Sequence, residues 1–219
     1  FLSLAYVSVS ISTTLVDTVP IFLAILGFIF FKEKINLYGI VGIVLAVSGS
    51  IALSFSTQSD NIENNPLIGI ILAFCGALTV SFYFIIGKKI LVDSPLWPYF
   101  ALVNLISGVS LLIYNLIRGY SLTWSNPIVL LYFTLLALVP SLIGHATYNF
   151  CLKKLPAYII GVAILGEPIG ATILGIIFLK QIPDLTTILL VGLISIGIGL
   201  TSLSPYMTRK AKKEEIMAV

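Results

Sequence analysis

The chain has 219 residues, 58% of them hydrophobic and only 10% charged, with a net charge of +3 and a mean hydropathy of +1.11. An average soluble domain is about 25% charged, so the composition excludes an ordinary soluble domain and points to a membrane protein. Cys75 and Cys151 lie far apart and give neither a disulfide framework nor a metal-ligand spacing. No phosphate-binding glycine loop, cofactor motif or nucleic-acid patch stands out either.

Seven apolar runs follow one another, at 11–31, 37–55, 66–87, 96–117, 127–150, 158–179 and 185–205. Each has about 20 residues, enough as a helix to cross a hydrocarbon core of roughly 30 Å. Strands of a membrane barrel would be half as long and alternate in polarity, so the predicted class is all-α and integral to the membrane. The first run carries Asp17 and, three residues on, Pro20. The second carries Gly39, Gly42 and Gly49. Thr79, Ser81 and Tyr83 lie in the third, and Asn104, Ser107 and Ser110 form a stripe in the fourth. In the fifth, Pro140 precedes His145, Tyr148 and Asn149, whose i, i+3, i+4 spacing puts them on one helical face. The sixth holds Ile164-Leu165-Gly166-Glu167-Pro168-Ile169-Gly170-Ala171, with Glu167 near the middle of the span. Lys88 and Lys89 read as snorkelling anchors, and Trp97, Tyr99 and Trp124 as interfacial aromatics.

Loop charge sets an orientation. Lys32, Lys34, Lys88, Lys89, Lys153, Lys154, Arg209, Lys210, Lys212 and Lys213 fall on one side by alternation, leaving Arg118 and Lys180 on the other. The positive-inside rule places the ten, and the C-terminus, in the cytoplasm of a multi-pass plasma-membrane protein. The loop with Asp60 and Glu63 is then outside. The basic tail is a solvated segment able to meet anionic lipid.

A shift of 148 residues aligns Leu23–Lys32 with Ala171–Lys180 and Pro20 with Pro168, and a shift of 150 aligns Gly42 with Gly192 and Gly49 with Gly199. By alternation the two copies run in opposite directions, so each unit has an odd number of spans, and five fits. Inverted repeats are a device of transporters, whose halves meet at the midplane. The expected domains are 1–55, the later part of a first repeat; 56–65, an extracytoplasmic linker; 66–205, a second repeat of five helices; and 206–219, a cytoplasmic basic tail. Counterparts of 66–148 are expected upstream, which makes this chain an N-terminally truncated copy of a ten-helix, 5+5 fold.

These residues resemble the drug/metabolite transporter superfamily, in particular its EamA-like branch. The likeness rests on Tyr6-Val7-Ser8-Val9-Ser10 and Thr18-Val19-Pro20-Ile21-Phe22, on Phe31-Lys32-Glu33-Lys34, on Gly39-Ile40-Val41-Gly42 with Gly49, on Leu165-Gly166-Glu167-Pro168-Ile169, and on Gly192, Gly197 and Gly199. The family's repeat-ending glutamate is Glu33 in the first copy, and Gln181 replaces it in the second. If Glu33 pins a helix end to a cytoplasmic neighbour, the second copy manages with a neutral amide. The resemblance implies a solute carrier, often an exporter of amino acids, metabolites or drugs, driven by an ion gradient or by exchange.

A charge at the bilayer centre costs at least ~2.5–3.5 kcal/mol and normally faces a cavity or a partner. Glu167, Asp17 and His145 are the Asp, Glu and His side chains within the spans. They head a candidate solute or ion site that also includes Asn149, Asn104 and Tyr83. Glu167 would bind a cationic group or carry a coupling proton; otherwise it is a neutral packing device. Asp17 is alternatively a helix-start cap, His145 a donor to a nearby carbonyl, and the Asn and Tyr side chains helix–helix glue. Pro20, Pro168 and Pro140 each remove one helix N–H, predicting kinks that line a cavity, with the carbonyls of Val16, Ile164 and Leu136 released. Gly166 and Gly170 are spaced for close approach of another helix. The expected partners are a small solute, membrane lipid, a coupling proton or exchanged solute, and, as an option, a second copy in a homodimer. An intramembrane enzyme using Glu167 and His145, or a truncated subunit that does not transport, are the alternatives; the inverted halves argue against the enzyme.

Overall fold

The computed structural model describes residues 2–56, 66–119, 127–180 and 182–217, without the side chains of 9, 10 and 209–217. Asp60, Glu63, Trp124 and Gln181 lie outside the described residues. Among the described residues every regular element is helical. Among the described residues seven helical spans are long and apolar enough to cross a membrane: Ile11–Phe31, Leu37–Ser56, Pro66–Leu91, Leu96–Ile117, Pro127–Leu152, Ala157–Leu179 and Leu185–Thr208. They correspond one to one to the seven predicted runs.

Three spans are not single helices. The first is α1 (Val9–Val16) followed by α2 (Val19–Phe31). The fifth is α6 (Pro127–Leu136), a π-helical stretch Ala137–His145, and α7 (Ala146–Leu152). The sixth is α8 (Ala157–Ile164) followed by α9 (Glu167–Leu179). The others are α3 (Leu37–Ser56), α4 (Pro66–Leu91), α5 (Leu96–Ile117) and α10 (Leu185–Met217). Pro140 stands inside the π stretch. The predicted kink is thus a widened turn, a common way for a helix to accommodate a residue that cannot donate.

The chain forms two compact units, one of residues 1–85 with 156–219, the other of residues 86–155. In the first unit α3 and α10 run antiparallel in close contact. A methyl group on Gly42 would collide with the Thr201 hydroxyl and sit 2.6 Å from the Gly197 carbonyl oxygen; one on Gly197 would sit 2.7 Å from the Gly42 carbonyl oxygen. Lipid tails are as apolar as leucine, so helices associate through such tight seams of small residues. Ile194, fully buried, fills the seam opposite Gly49, and Ile43, Ala46, Val47, Tyr158, Val162 and Leu165 complete this core. Gly192 and Gly199, aligned with Gly42 and Gly49 in sequence, have nothing within 4 Å of such a methyl. The seam selects Gly197 instead.

Side chains fix the helix ends. The Asn36 Oδ1 accepts from the Gly39 N–H (3.0 Å) at the start of α3, while its Nδ2 donates to the Ser204 carbonyl (3.0 Å) in α10. Asp184 accepts from the Thr187 N–H (3.2 Å) at the start of α10, and bonds from the Thr187 hydroxyl and N–H hold its carboxyl below the usual range. The sequence reading ends the last span at 205, but α10 continues through Pro205 to Met217. A proline deletes only one helical hydrogen bond, and the Arg, Lys, Ala and Glu residues that follow are good helix formers.

In the second unit α5 buries only Tyr99 and Phe100, and α6 none of its residues. Tyr99 is therefore not an exposed interfacial aromatic, whereas Trp97 is exposed. Lys88 does more than snorkel: its Nζ donates to the Leu155 carbonyl (2.6 Å), and the Lys153 Nζ donates to the Ser94 carbonyl (3.0 Å).

Candidate functional site

The sequence predicts kinks at Pro20 and Pro168, and the structure has full breaks. α1 ends at Val16, Asp17 and Thr18 make a turn, and α2 begins at Val19 with Pro20 in its first turn. α8 ends at Ile164, Leu165 and Gly166 make a turn, and α9 begins at Glu167 with Pro168 in its first turn. At that position a proline has no intrahelical bond to lose, and its fixed φ suits a helix start.

The two breaks share one hydrogen-bond pattern in the 148 register. The Thr18 N–H donates to the Leu15 carbonyl, and the Ile21 and Phe22 N–H groups donate to that of Thr18. In the other span the Gly166 N–H donates to the Ala163 carbonyl, and the Ile169 and Gly170 N–H groups to that of Gly166. α2 and α9 each have 13 residues and end on a lysine in the left-handed region, Lys32 at φ 54° and Lys180 at φ 51°.

Acidic side chains flank both breaks. The Asp17 carboxylate accepts from the Ser50 hydroxyl (2.7 Å), and Ser50 is a buried residue of α3. Asp17 is thus the residue that caps the C-terminal end of α1, tied to the neighbouring helix, and not the cap of α2, which is Thr18. Glu167 is the first residue of α9 and is exposed. The amides of a first helical turn lack partners within the helix, a favourable place for a carboxylate. Asp17 and Glu167, one at each break, lie within Coulombic reach of each other. The helix approach expected at Gly166 and Gly170 is missing among the described residues. A methyl on Gly170 would meet nothing within 4 Å, and one on Gly166 would come no closer to another helix than 3.6 Å, at Ile198. The close approach in this region is at Gly161, where a methyl would fall 2.8 Å from the Pro20 Cα and 2.9 Å from the Leu23 Cδ1. With Gly27 facing Ala157, this makes α2 and α8 antiparallel neighbours.

Tyr83, also in the first unit, packs its ring on Phe84 (5.0 Å between centroids). The other predicted site residues belong to the second unit. His145 closes the π stretch with an exposed side chain, its ring edge-on to Tyr148 at 6.2 Å. Asn149 is fully buried and its Nδ2 donates to the His145 carbonyl (2.8 Å). The shared face predicted for the two is thus split between an exposed ring and a buried amide. The Asn104 Nδ2 donates to the Phe100 carbonyl (2.8 Å), and its Oδ1 accepts a long bond from the Ser141 hydroxyl (3.5 Å). Thr79, Ser81 and Ser110 bond carbonyls of their own helices, as hydroxyls without an interhelical partner do. Sequence reasoning missed Ser50, whose one signal is its place among the small residues of α3. Among the described residues no three His, Cys, Asp or Glu side chains gather as a metal site.

A profile of the EamA-like transporter family matches residues 1–55 and 67–203. No curated protein sequence matches the chain. A solved crystal structure is similar with a TM-score of 0.79 at 16% identity, over 94% of this chain and 71% of that one. That likeness speaks to the fold alone.

Proposed function

The chain belongs to the EamA-like transporter family and is a multi-pass membrane transporter, and on that premise we propose that it serves as a secondary active transporter of the plasma membrane with a cytoplasmic C-terminus. It exports a small metabolite, amino acid or drug-like solute by alternating access, driven by a coupling proton or by exchange. In this proposal residues 1–55 and 66–205 belong to two inverted repeats of a ten-helix fold.

The observation that carries the proposal is the pair of broken spans in one register with an acid at each break, Asp17 and Glu167. A broken helix inside a membrane is tolerated where it lines a cavity, because its open backbone groups need partners. Two carboxylates within reach of one another repel, and a cation or a proton entering between them relieves that repulsion. Pro20 and Pro168 set the breaks, and Tyr83 is a further polar position of the same unit; His145, Asn149 and Asn104 are polar positions of the other unit, taken by itself, which also holds the widened turn at Pro140.

The test is solute movement into proteoliposomes across a screened set of amino acids and organic cations, under an imposed proton gradient or with trapped solute for exchange. Glu167→Gln should abolish gradient-driven movement, and Asp17→Asn should weaken it, with both variants still inserted. Undiminished movement by Glu167→Gln would remove that carboxylate from the mechanism.

A further inference from the structure

The glutamate that follows α2 is not near either break, yet it is built into the packing of both broken spans. Lys32 turns the chain into the left-handed region, its N–H bonding the Phe28 carbonyl (3.0 Å), and the Glu33 N–H folds back to the Gly27 carbonyl (3.2 Å). The side chain is thereby laid across Gly27, where a methyl group would be 2.6 Å from the Glu33 Oε2 and 3.3 Å from its Cδ. In that slot both carboxylate oxygens accept from the Ala157 N–H, at 2.9 and 3.2 Å. Ala157 is the first residue of α8, and Pro156 before it has no side-chain oxygen to accept from the free amides of the first turn. The carboxylate thus takes the place of a cap at a helix start whose own residue cannot supply one.

One turn further along α8, Gly161 rests on Pro20 and Leu23 of α2. The contact falls just after the break at Asp17 and one turn before the break at Leu165. α8 is therefore fixed to α2 at two levels, by an anion on an amide and by glycine on proline.

We propose that Glu33 is a positioning residue, whose carboxylate, seated in a slot that only glycine at position 27 leaves open, fastens α8 to α2 so that the two half-helices move as one clamp carrying both breaks. Bending is then confined to the turns at Asp17–Thr18 and Leu165–Gly166. The clamp sets how far Glu167 stands from Asp17. Only this last step rests on the functional proposal above; the fastening is testable without a solute.

The experiment is hydrogen exchange of the amides at 157–160 in protein reconstituted into lipid nanodiscs, for Gly27→Ala, Glu33→Ala, Glu33→Gln and the double variant Gly27→Ala/Glu33→Ala. Glu33→Ala and Gly27→Ala should each lower protection there by roughly tenfold, the factor set by one charge-assisted hydrogen bond. Glu33→Gln keeps an acceptor oxygen and should restore part of it. The double variant should be no worse than Glu33→Ala, because the next atom met by a methyl at position 27 is the Ala157 Cβ, at an ordinary 3.8 Å. A pulsed-EPR distance between labels at Val16→Cys and Ile173→Cys, with both native cysteines replaced by serine, should broaden in Glu33→Ala and narrow again in Glu33→Gln. Losses that add in the double variant, or a label distance indifferent to Glu33, would overturn the clamp. If Gly27→Ala alone does not insert, insertion of the double variant supports the slot and its failure counts against it. Additive losses alongside an inactive Glu167→Gln would sink the clamp and spare the functional reading; the reverse pattern would do the opposite.

Discussion

Asp17 is held by a neighbour, and Glu167 is not held in the same way. The buried Ser50 hydroxyl donates to Asp17 from α3, whereas Glu167 stands exposed at the start of a helix. An acid inside a span needs such support, since an uncompensated charge there is costly. Ser50→Ala removes the donor and leaves the Asp17 carboxyl without that hydrogen bond. We expect a loss of roughly 1.5–3 kcal/mol, the worth of a hydrogen bond to a charged group, seen as a lower unfolding midpoint in detergent. In an Asp17→Asn background the same change should cost clearly less. Equal costs in both backgrounds would mean that Ser50 matters through packing, not through the carboxylate.

Helix–helix seams decide which glycines matter. The sequence aligns Gly42 and Gly49 with Gly192 and Gly199, and from text alone the four are equivalent. In the structure Gly42 and Gly197 close the α3–α10 seam, while Gly192 and Gly199 face open space. Gly42→Ala and Gly197→Ala should each destabilise by about 1–3 kcal/mol through overpacking, and Gly192→Ala and Gly199→Ala should stay within about 0.5 kcal/mol. Four unfolding midpoints decide it, and a uniform cost would contradict the seam. The same contrast marks what was legible beforehand. Span positions were readable, because about 20 apolar residues between polar loops have few other uses. Pro20 and Pro168 announced a disturbance, and the 148 register announced that the two are alike. Whether a proline kinks a helix or starts a new one depends on the residues before it turning out of the helix. Leu165-Gly166 and Asp17-Thr18 do so against neighbours that no periodicity names. Ser50, 33 positions from Asp17, was invisible for the same reason; a pinning role for Glu33 was legible in outline, but its partner Ala157, 124 positions on, was not.

Across the whole molecule, hydrogen bonds and loop charge bear on one question, which ends of the spans share a side. In the first unit, Glu33 after the first span bonds Ala157 at the start of the sixth, and Asn36 before the second bonds Ser204 near the end of the seventh. In the second unit, Lys88 at the end of the third span bonds Leu155 beyond the fifth, and Lys153 returns to Ser94 before the fourth. Each bond joins ends that strict alternation of the seven spans puts on the same side, and that side carries ten of the twelve lysines and arginines. In the proposed orientation this side is the cytoplasmic face, because basic loops resist translocation. A green fluorescent protein fused after Val219 should therefore fluoresce, and alkaline phosphatase fused there should be inactive. Fused at Gly119, between the fourth and fifth spans, the phosphatase should be active and the fluorescent protein dark. The opposite pattern at both sites would invert the molecule in the membrane and turn the proposed exporter around. One site reversed without the other would break the alternation itself, and with it the odd number of spans on which two inverted repeats depend.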